Sequence, residues 1–292
     1  MSGTARILAP AKVNLRLRVL GRRPDGYHEI DTLFQSIDLA DEVTLSFGQP
    51  GIRLEVAGFD VGPVEQNLAY RAAQQFASEL GLRPGVDIHL VKRIPAGAGL
   101  GGGSSDAAAV LIVLAALEGV PRDDPRLSVA AAALGSDVPF FLGTSSLARG
   151  RGRGERLEPL VALPAADLVL VTPPVHVSTA AAYAALAADR AGNDARRSEE
   201  PTPRSWSEVA ALATNDFQPL VARAHPEVAR ALEALAASGA TFALMSGSGS
   251  SVFGVYPDPG AARGAADALG GRLGWPCRAL RTLPRSPEPT LS

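Results

Sequence analysis

The chain has 292 residues and a formal net charge of −2, with 46% hydrophobic and 20% charged residues. That balance excludes a disordered or fibrous chain and supplies no basic field for nucleic acid or an anionic membrane, so a small-molecule partner is expected. The length exceeds what a single core usually supports, and two packed domains, 1–160 and 161–292, are expected, with the boundary near residues 158–164.

The first ten residues lack the apolar stretch of a signal peptide, and no window reaches the length of a membrane span. A cytoplasmic protein is expected, which the single cysteine, Cys277, suits as a packing residue. From Lys12 onward, Val13, Leu15, Leu17 and Val19 recur at period two, predicting a strand whose opposite face carries Lys12, Asn14, Arg16 and Arg18. Pro24-Asp-Gly26 signals a turn, and Tyr27 and His28 follow it as surface decoration or as a stacking face for a ring. Alternating runs at 33–39, 43–47, 52–56 and 86–90 predict four more strands. Asn67 caps a predicted helix that runs to Leu80 and stops at Gly81, and the alanine-rich segment 104–117 predicts a second.

Between the last of these strands and the second helix lies Pro95, Ala96, Gly97, Ala98, Gly99, Leu100, Gly101, Gly102, Gly103, Ser104 and Ser105. Glycines let backbone approach a ligand closely, consecutive N–H groups can converge on an anion, and a helix start adds its positive dipole end. The dipole contributes only about 0.3–2 kcal/mol, so a triphosphate needs several charge-assisted hydrogen bonds of roughly 1.5–3 kcal/mol each. A glycine-demanding turn is the plain alternative, and five glycines with two serines before a helix disfavour it. The spacing of Gly97, Gly99 and Gly102 also satisfies the dinucleotide fingerprint, but Glu118, Asp123 and Asp124 follow a helix rather than a second strand. The other phosphate loop requires a lysine after the glycines, and none is present.

Further along, Gly135-Ser-Asp-Val-Pro139 sets Asp137 in a loop, where an aspartate ordinarily caps or turns. Arg149, Arg151, Arg153 and Arg156 form either a solvated face or a phosphate site, and residues 187–205 read as an exposed loop. A helix over Pro226–Ala237, strands at 241–245 and 252–256, a helix at 260–269 and a strand at 277–280 complete an α+β layer. The segment Ser246-Gly-Ser-Gly-Ser250 is a hairpin turn or a second backbone wall around a ligand. His89, His176 and His225 have no metal-ligand spacing.

Pro10-Ala-Lys-Val-Asn-Leu15, Pro24-Asp-Gly-Tyr-His28, the glycine loop, Gly135-Ser-Asp-Val-Pro139 and Ser246-Gly-Ser-Gly-Ser250, in that order, resemble the GHMP kinase superfamily. The resemblance implies an amino-terminal domain of ribosomal-protein-S5 type, a smaller ferredoxin-like carboxy-terminal domain and an active site between them. It implies ATP-dependent phosphorylation of a small-molecule hydroxyl, with Asp137 as general base and Lys12 orienting that hydroxyl. Asn14 would position a sugar alcohol, while Tyr27, His28, Thr179 and Tyr183 would hold a cytidine group. Asn67 and Leu68 match the adenine-side segment. Magnesium is implied with Ser105 as a candidate ligand, and no motif names a carboxylate partner, so the metal ligands stay open. Another member acting on homoserine, mevalonate or a sugar, or a non-catalytic nucleotide sensor, are the rival readings.

Overall fold

The computed structural model describes residues 4–48, 50–59, 62–81, 85–190 and 201–291. Two long strands, β1 (Thr4–Arg22) and β2 (His28–Phe47), pair antiparallel around the turn at 24–26. The runs 33–39 and 43–47, expected as separate strands, are one. Pro10 faces Ala40 and Ala11 faces Ile37, so a bulge at this point shifts the alternation without ending the strand. The next elements are β3 (Gly51–Ala57), α1 (Leu68–Leu80) and β4 (Gly85–Val91). Asn67 Oδ1 accepts from the Ala69 N–H at 2.9 Å, and Gly81 ends α1 at φ 70°, as the cap and stop residues dictate.

Beyond the glycine loop come α2 (Gly102–Leu117), α3 (Pro125–Leu134), α4 (Val138–Leu142), β5 (Leu147–Gly152) and β6 (Arg156–Pro159). Every residue from Ser105 to Ala115 of α2 is buried, which is why this helix is apolar all round rather than striped. Its small side chains let α1, α4 and β1 pack closely against it. No strand separates α2 from α3, so the second strand that a dinucleotide site needs is missing among the described residues.

The second layer contains β7 (Asp167–Val171), α5 (Thr179–Asp189), α6 (Trp206–Leu212), β8 (Thr214–Asn215), α7 (Gln218–Ala224) and α8 (Pro226–Ala237). It closes with β9 (Phe242–Met245), β10 (Val252–Tyr256), α9 (Pro259–Leu273), β11 (Cys277–Arg281) and β12 (Thr290–Leu291). The loop expected at 187–205 begins later than its composition suggests, because α5 extends to Asp189 before its cap at Arg190. Residues 191–200 lie outside the described residues.

Strands β7, β9, β10 and β11 form an antiparallel sheet in the order β11-β7-β10-β9, the ferredoxin-like arrangement, with α8 and α9 packed against it. The larger sheet runs β12-β1-β2-β4-β3, with β5 and β6 branching from β2 and β8 joining β1. The chain crosses between sheets after β6, yet β8 and β12 return to the edge of β1. Between those two contacts the Lys12 N–H donates to the Leu100 carbonyl at 2.9 Å, so the glycine loop docks on the remaining edge of β1. That docking places the loop between the two layers.

Candidate active site

Lys12 and Asn14 point from the polar face of β1 that alternation defined, but that face is covered by the second layer. Lys12 is 4% exposed, Asn14 2% and Arg16 0%. Buried polar groups must be satisfied, and here they form a chain. Lys12 Nζ donates to Asn14 Oδ1 at 2.6 Å, Asn14 Nδ2 donates to Thr32 Oγ1 at 2.7 Å, and Thr32 Oγ1 donates to the Arg16 carbonyl at 2.7 Å. The Gly247 N–H donates to Asn14 Oδ1 at 2.9 Å. Asn14 therefore ties the serine-glycine turn of the second layer to β1, and that turn is both a hairpin connection and a wall of the site.

Asp137 occupies the N-cap position of α4, yet its side chain makes no capping hydrogen bond. Its Oδ2 lies 3.7 Å from Lys12 Nζ, an ion-pair distance too long for a direct hydrogen bond. Burial pushes the Lys12 ammonium down from its ordinary pKa, and the Asp137 carboxylate opposes that shift. A carboxylate free of structural duty beside a desolvated ammonium is an arrangement that can take a proton from a hydroxyl and hold the resulting oxygen.

Around this pair opens a cavity of about 610 Å³ whose lining includes Lys12, Asn14, Tyr27, His28, Asp137, Arg153, Thr179, Tyr183 and Phe217. The structure thus brings together all seven residues that the motifs assigned to hydroxyl and cytidine handling. His28 and Tyr183 stack at 4.6 Å with 20° between their planes, and Phe217 meets Tyr183 edge-on at 4.7 Å. Burial, followed by the nearby Asp137 charge, pushes the Tyr183 phenol up to about 12, so the ring stays neutral. Tyr27 is 54% exposed at the mouth and carries the Arg153 guanidinium over its face. Thr179 Oγ1 and Ser248 Oγ lie 2.8 Å apart across the two walls.

A second cavity of about 370 Å³ lies on the other side of the glycine loop, lined by Asn67, Leu68, Lys92, the loop from Pro95 to Ser104, and Asp106. Gly99 and Gly101 line both cavities. Gly99 has φ 78°, and a Cβ there would stand 2.1 Å from the Ser246 carbonyl oxygen, so only glycine fits between the layers. Gly101 is the N-cap of α2 without a side-chain cap, which leaves the first amides of that helix unpaired within it. Those amides and the loop backbone form a cradle for an anion.

Ser105 stands apart from these residues. Its hydroxyl is buried, has no hydrogen-bond partner and borders a small separate cavity beside Ile7, Ser36 and Phe141. Helical rotation turns Ser105 inward, while Ser104 remains on the second cavity. Sequence reasoning also missed the floor of that cavity. Lys92 Nζ is ion-paired to Asp41 and donates to Asp106 Oδ2 at 2.6 Å. Asp41 Oδ1 accepts from the Arg93 and Ile94 N–H groups at 2.5 and 2.8 Å. These contacts tie both ends of the glycine loop together. Burial, with Asp41 as a second carboxylate and against the pull of Lys92, raises Asp106 to about 7, and its Oδ1 has no partner. The signal was in view, since Asp106 directly follows the serine pair and Lys92 precedes the loop.

The models of the GHMP kinases N-terminal domain and the GHMP kinases C-terminal domain match residues 67–144 and 193–273. A 4-diphosphocytidyl-2-C-methyl-D-erythritol kinase from Geobacter sp. (strain M21) is 45% identical, covering 95% of this chain and 98% of its own length. The chain belongs to the GHMP kinases. A relative of the same name from Moorella thermoacetica is 46% identical over 89% of this chain and 93% of its own length. A solved 4-(cytidine 5'-diphospho)-2C-methyl-D-erythritol kinase is 41% identical, covers 95% of this chain and 98% of its own, and has a TM-score of 0.77. The homoserine kinase of Cytophaga hutchinsonii, at 18% identity and TM-score 0.73 over 99% of this chain and 97% of its own, shares the fold alone. Membership implies ATP as phosphoryl donor, and the two-layer architecture described above is the two-domain fold of this family. Among the described residues no helix is long and apolar enough to cross a membrane.

Proposed function

We propose that this GHMP kinase transfers the γ-phosphoryl group of ATP to the 2-hydroxyl of 4-diphosphocytidyl-2-C-methyl-D-erythritol, a step of the non-mevalonate isoprenoid pathway carried out in the cytoplasm. The observation that carries the reading is the pair of cavities sharing Gly99 and Gly101, with Lys12 and Asp137 on the side opposite Asn67 and Leu68. Nucleotide on one side and alcohol on the other would meet across the loop. The units 1–160 and 161–292 are the proposed domains, with β8 and β12 of the second completing the sheet of the first.

In this reading Asp137 accepts the hydroxyl proton as the bond to phosphorus forms, while Lys12, held by Asn14, orients that hydroxyl and stabilises the attacking oxygen. Loop amides hold the phosphates in line, and positioning dominates the acceleration because phosphoryl transfer has a loose transition state. Asn67 and Leu68 flank the adenine, and Tyr27, His28, Thr179 and Tyr183 hold the cytidine. Magnesium bound with the nucleotide would neutralise phosphate charge, and Ser104 and, in its ionised form, Asp106 are the lining residues whose oxygens would suit it. Among the described residues no cluster of three or more acidic, histidine or cysteine side chains forms a metal site. ATP consumption measured with and without the cytidine diphosphate alcohol tests the proposal. Turnover should require that alcohol, and equal turnover without it would refute the assignment.

A further inference from the structure

The two-residue strand β8 is fixed to the first layer and reaches into the second. Its backbone pairs with β1 at Arg16 and Leu17, and the next residue, Asp216, accepts from the Val19 N–H at 2.8 Å and from Arg190 Nη2 at 2.6 Å. Asn215 of this strand is 4% exposed and does not line the substrate cavity, yet its side chain reaches two of that cavity's walls. Nδ2 donates to the Met245 carbonyl at 2.7 Å and to the Gly247 carbonyl at 2.8 Å, while Oδ1 accepts from the Phe217 N–H at 2.9 Å.

Resting on the substrate reading above, we propose that Asn215 is a positioning residue that keeps the reacting-hydroxyl end and the ring end of the substrate cavity in register. Gly247 is gripped from two sides, its carbonyl by Asn215 and its N–H by Asn14 Oδ1, the atom that also accepts from Lys12 Nζ. The seat of this turn therefore helps to decide where Asn14 and Lys12 sit. The other arm of the same amide fixes the backbone of Phe217, whose ring meets Tyr183 edge-on. A buried amide with both N–H groups and its oxygen engaged cannot shift toward one partner without weakening its bonds to the others. Because β8 is anchored on β1, the strand that carries Lys12, both walls are referred to the residue that meets the hydroxyl.

Steady-state kinetics on the full-length protein and its Asn215→Ala and Asn215→Asp variants test this, with kcat normalised to the fraction of protein that binds ATP in calorimetric titration. Asn215→Ala loses both arms. It should lower normalised kcat by about tenfold or more, since a misplacement near 1 Å costs up to about 10²-fold. It should also raise KM for the cytidine diphosphate alcohol roughly two- to tenfold, the worth of an aromatic pair, with little change in KM for ATP. Asn215→Asp keeps an acceptor for the Phe217 N–H but sets a carboxyl group against two carbonyls, so normalised kcat should fall while KM for the alcohol rises less than in Asn215→Ala. A residue that only supports the fold would lower the ATP-binding fraction and leave normalised kcat and both KM values unchanged, and that result overturns the proposal. So does a rise in KM for ATP that matches the rise for the alcohol. Loss of ATP binding in both variants would assign Asn215 to the fold and overturn it as well. If the wild type does not phosphorylate the alcohol, the substrate reading itself fails and the inference falls with it.

Discussion

The two cavities on either side of the glycine loop are built from different materials. The side proposed for the nucleotide is chiefly backbone, with a loop docked by the Lys12 amide, a helix start without a side-chain cap, and a floor held by Lys92, Asp41 and Asp106. The other side is chiefly side chains, with an ion pair beside a cluster of rings. Backbone amides recognise phosphate whatever it is attached to, so that side fits a whole superfamily. Oriented rings and charges distinguish one alcohol from another, so specificity belongs to the side-chain cavity.

The largest effect should come where the side-chain cavity performs chemistry. Asp137→Asn is expected to lower kcat by about 10²–10⁴-fold, the usual worth of a general base. ATP affinity, measured by equilibrium titration, should barely change because the cradle is untouched. A variant that loses nucleotide binding as well would break the division between the cavities. On the backbone side, Gly99→Ala adds a methyl 2.1 Å from the Ser246 carbonyl oxygen and forces alanine to φ 78°. The left-handed conformation alone costs about 1–2 kcal/mol, so urea unfolding should show at least that loss, together with weaker ATP binding. An unchanged unfolding midpoint would mean that the two layers do not need this close approach.

A smaller effect should follow from Tyr183→Ala. Base–aromatic stacking is worth about 1–3 kcal/mol, so KM for the cytidine substrate should rise roughly five- to 150-fold with KM for ATP unchanged. A rise in both would assign Tyr183 to general packing, since it also touches Phe217.

A pH-dependent effect concerns the cavity floor. Asp106 retains its proton in the folded protein up to about pH 7, whereas an unperturbed aspartate releases it near 3.8. The folded state then binds more protons than the unfolded state within that interval, so this group makes stability fall as pH rises from 3.8 toward about 7. The slope cannot exceed about 1.4 kcal/mol per pH unit. Asp106→Asn should flatten the stability profile of the nucleotide-free protein over that range. A profile with the same slope in both proteins would show that Asp106 is ionised throughout.

Much of this was legible in the sequence where the determinant is local. Asn67, Leu80 and Gly81 delimit α1 because cap and stop chemistry acts within a turn, and α8 starts on Pro226 and ends before Gly239 at φ 92°, which are also local signals. The strand carrying Lys12 and Asn14 was equally plain, but alternation alone does not say whether its polar face is covered. Burial of that face depends on the second layer, supplied by residues more than 200 positions away. The same limit hid Lys92 and its partners, since Asp41 lies 51 positions from Lys92 and only folding joins them. Ser105 illustrates a finer limit. The motif placed both serines near phosphate, whereas about 100° of helical rotation decides which hydroxyl faces the cavity.

The most direct test of the account measures kcat/KM for the full-length enzyme with ATP and magnesium on a panel of the cytidine diphosphate alcohol, homoserine and mevalonate. The account predicts efficient phosphorylation of the first and a loss of at least about 10³-fold on the others, because neither carries a ring for Tyr183 to stack on. Comparable efficiency on homoserine or mevalonate would contradict it.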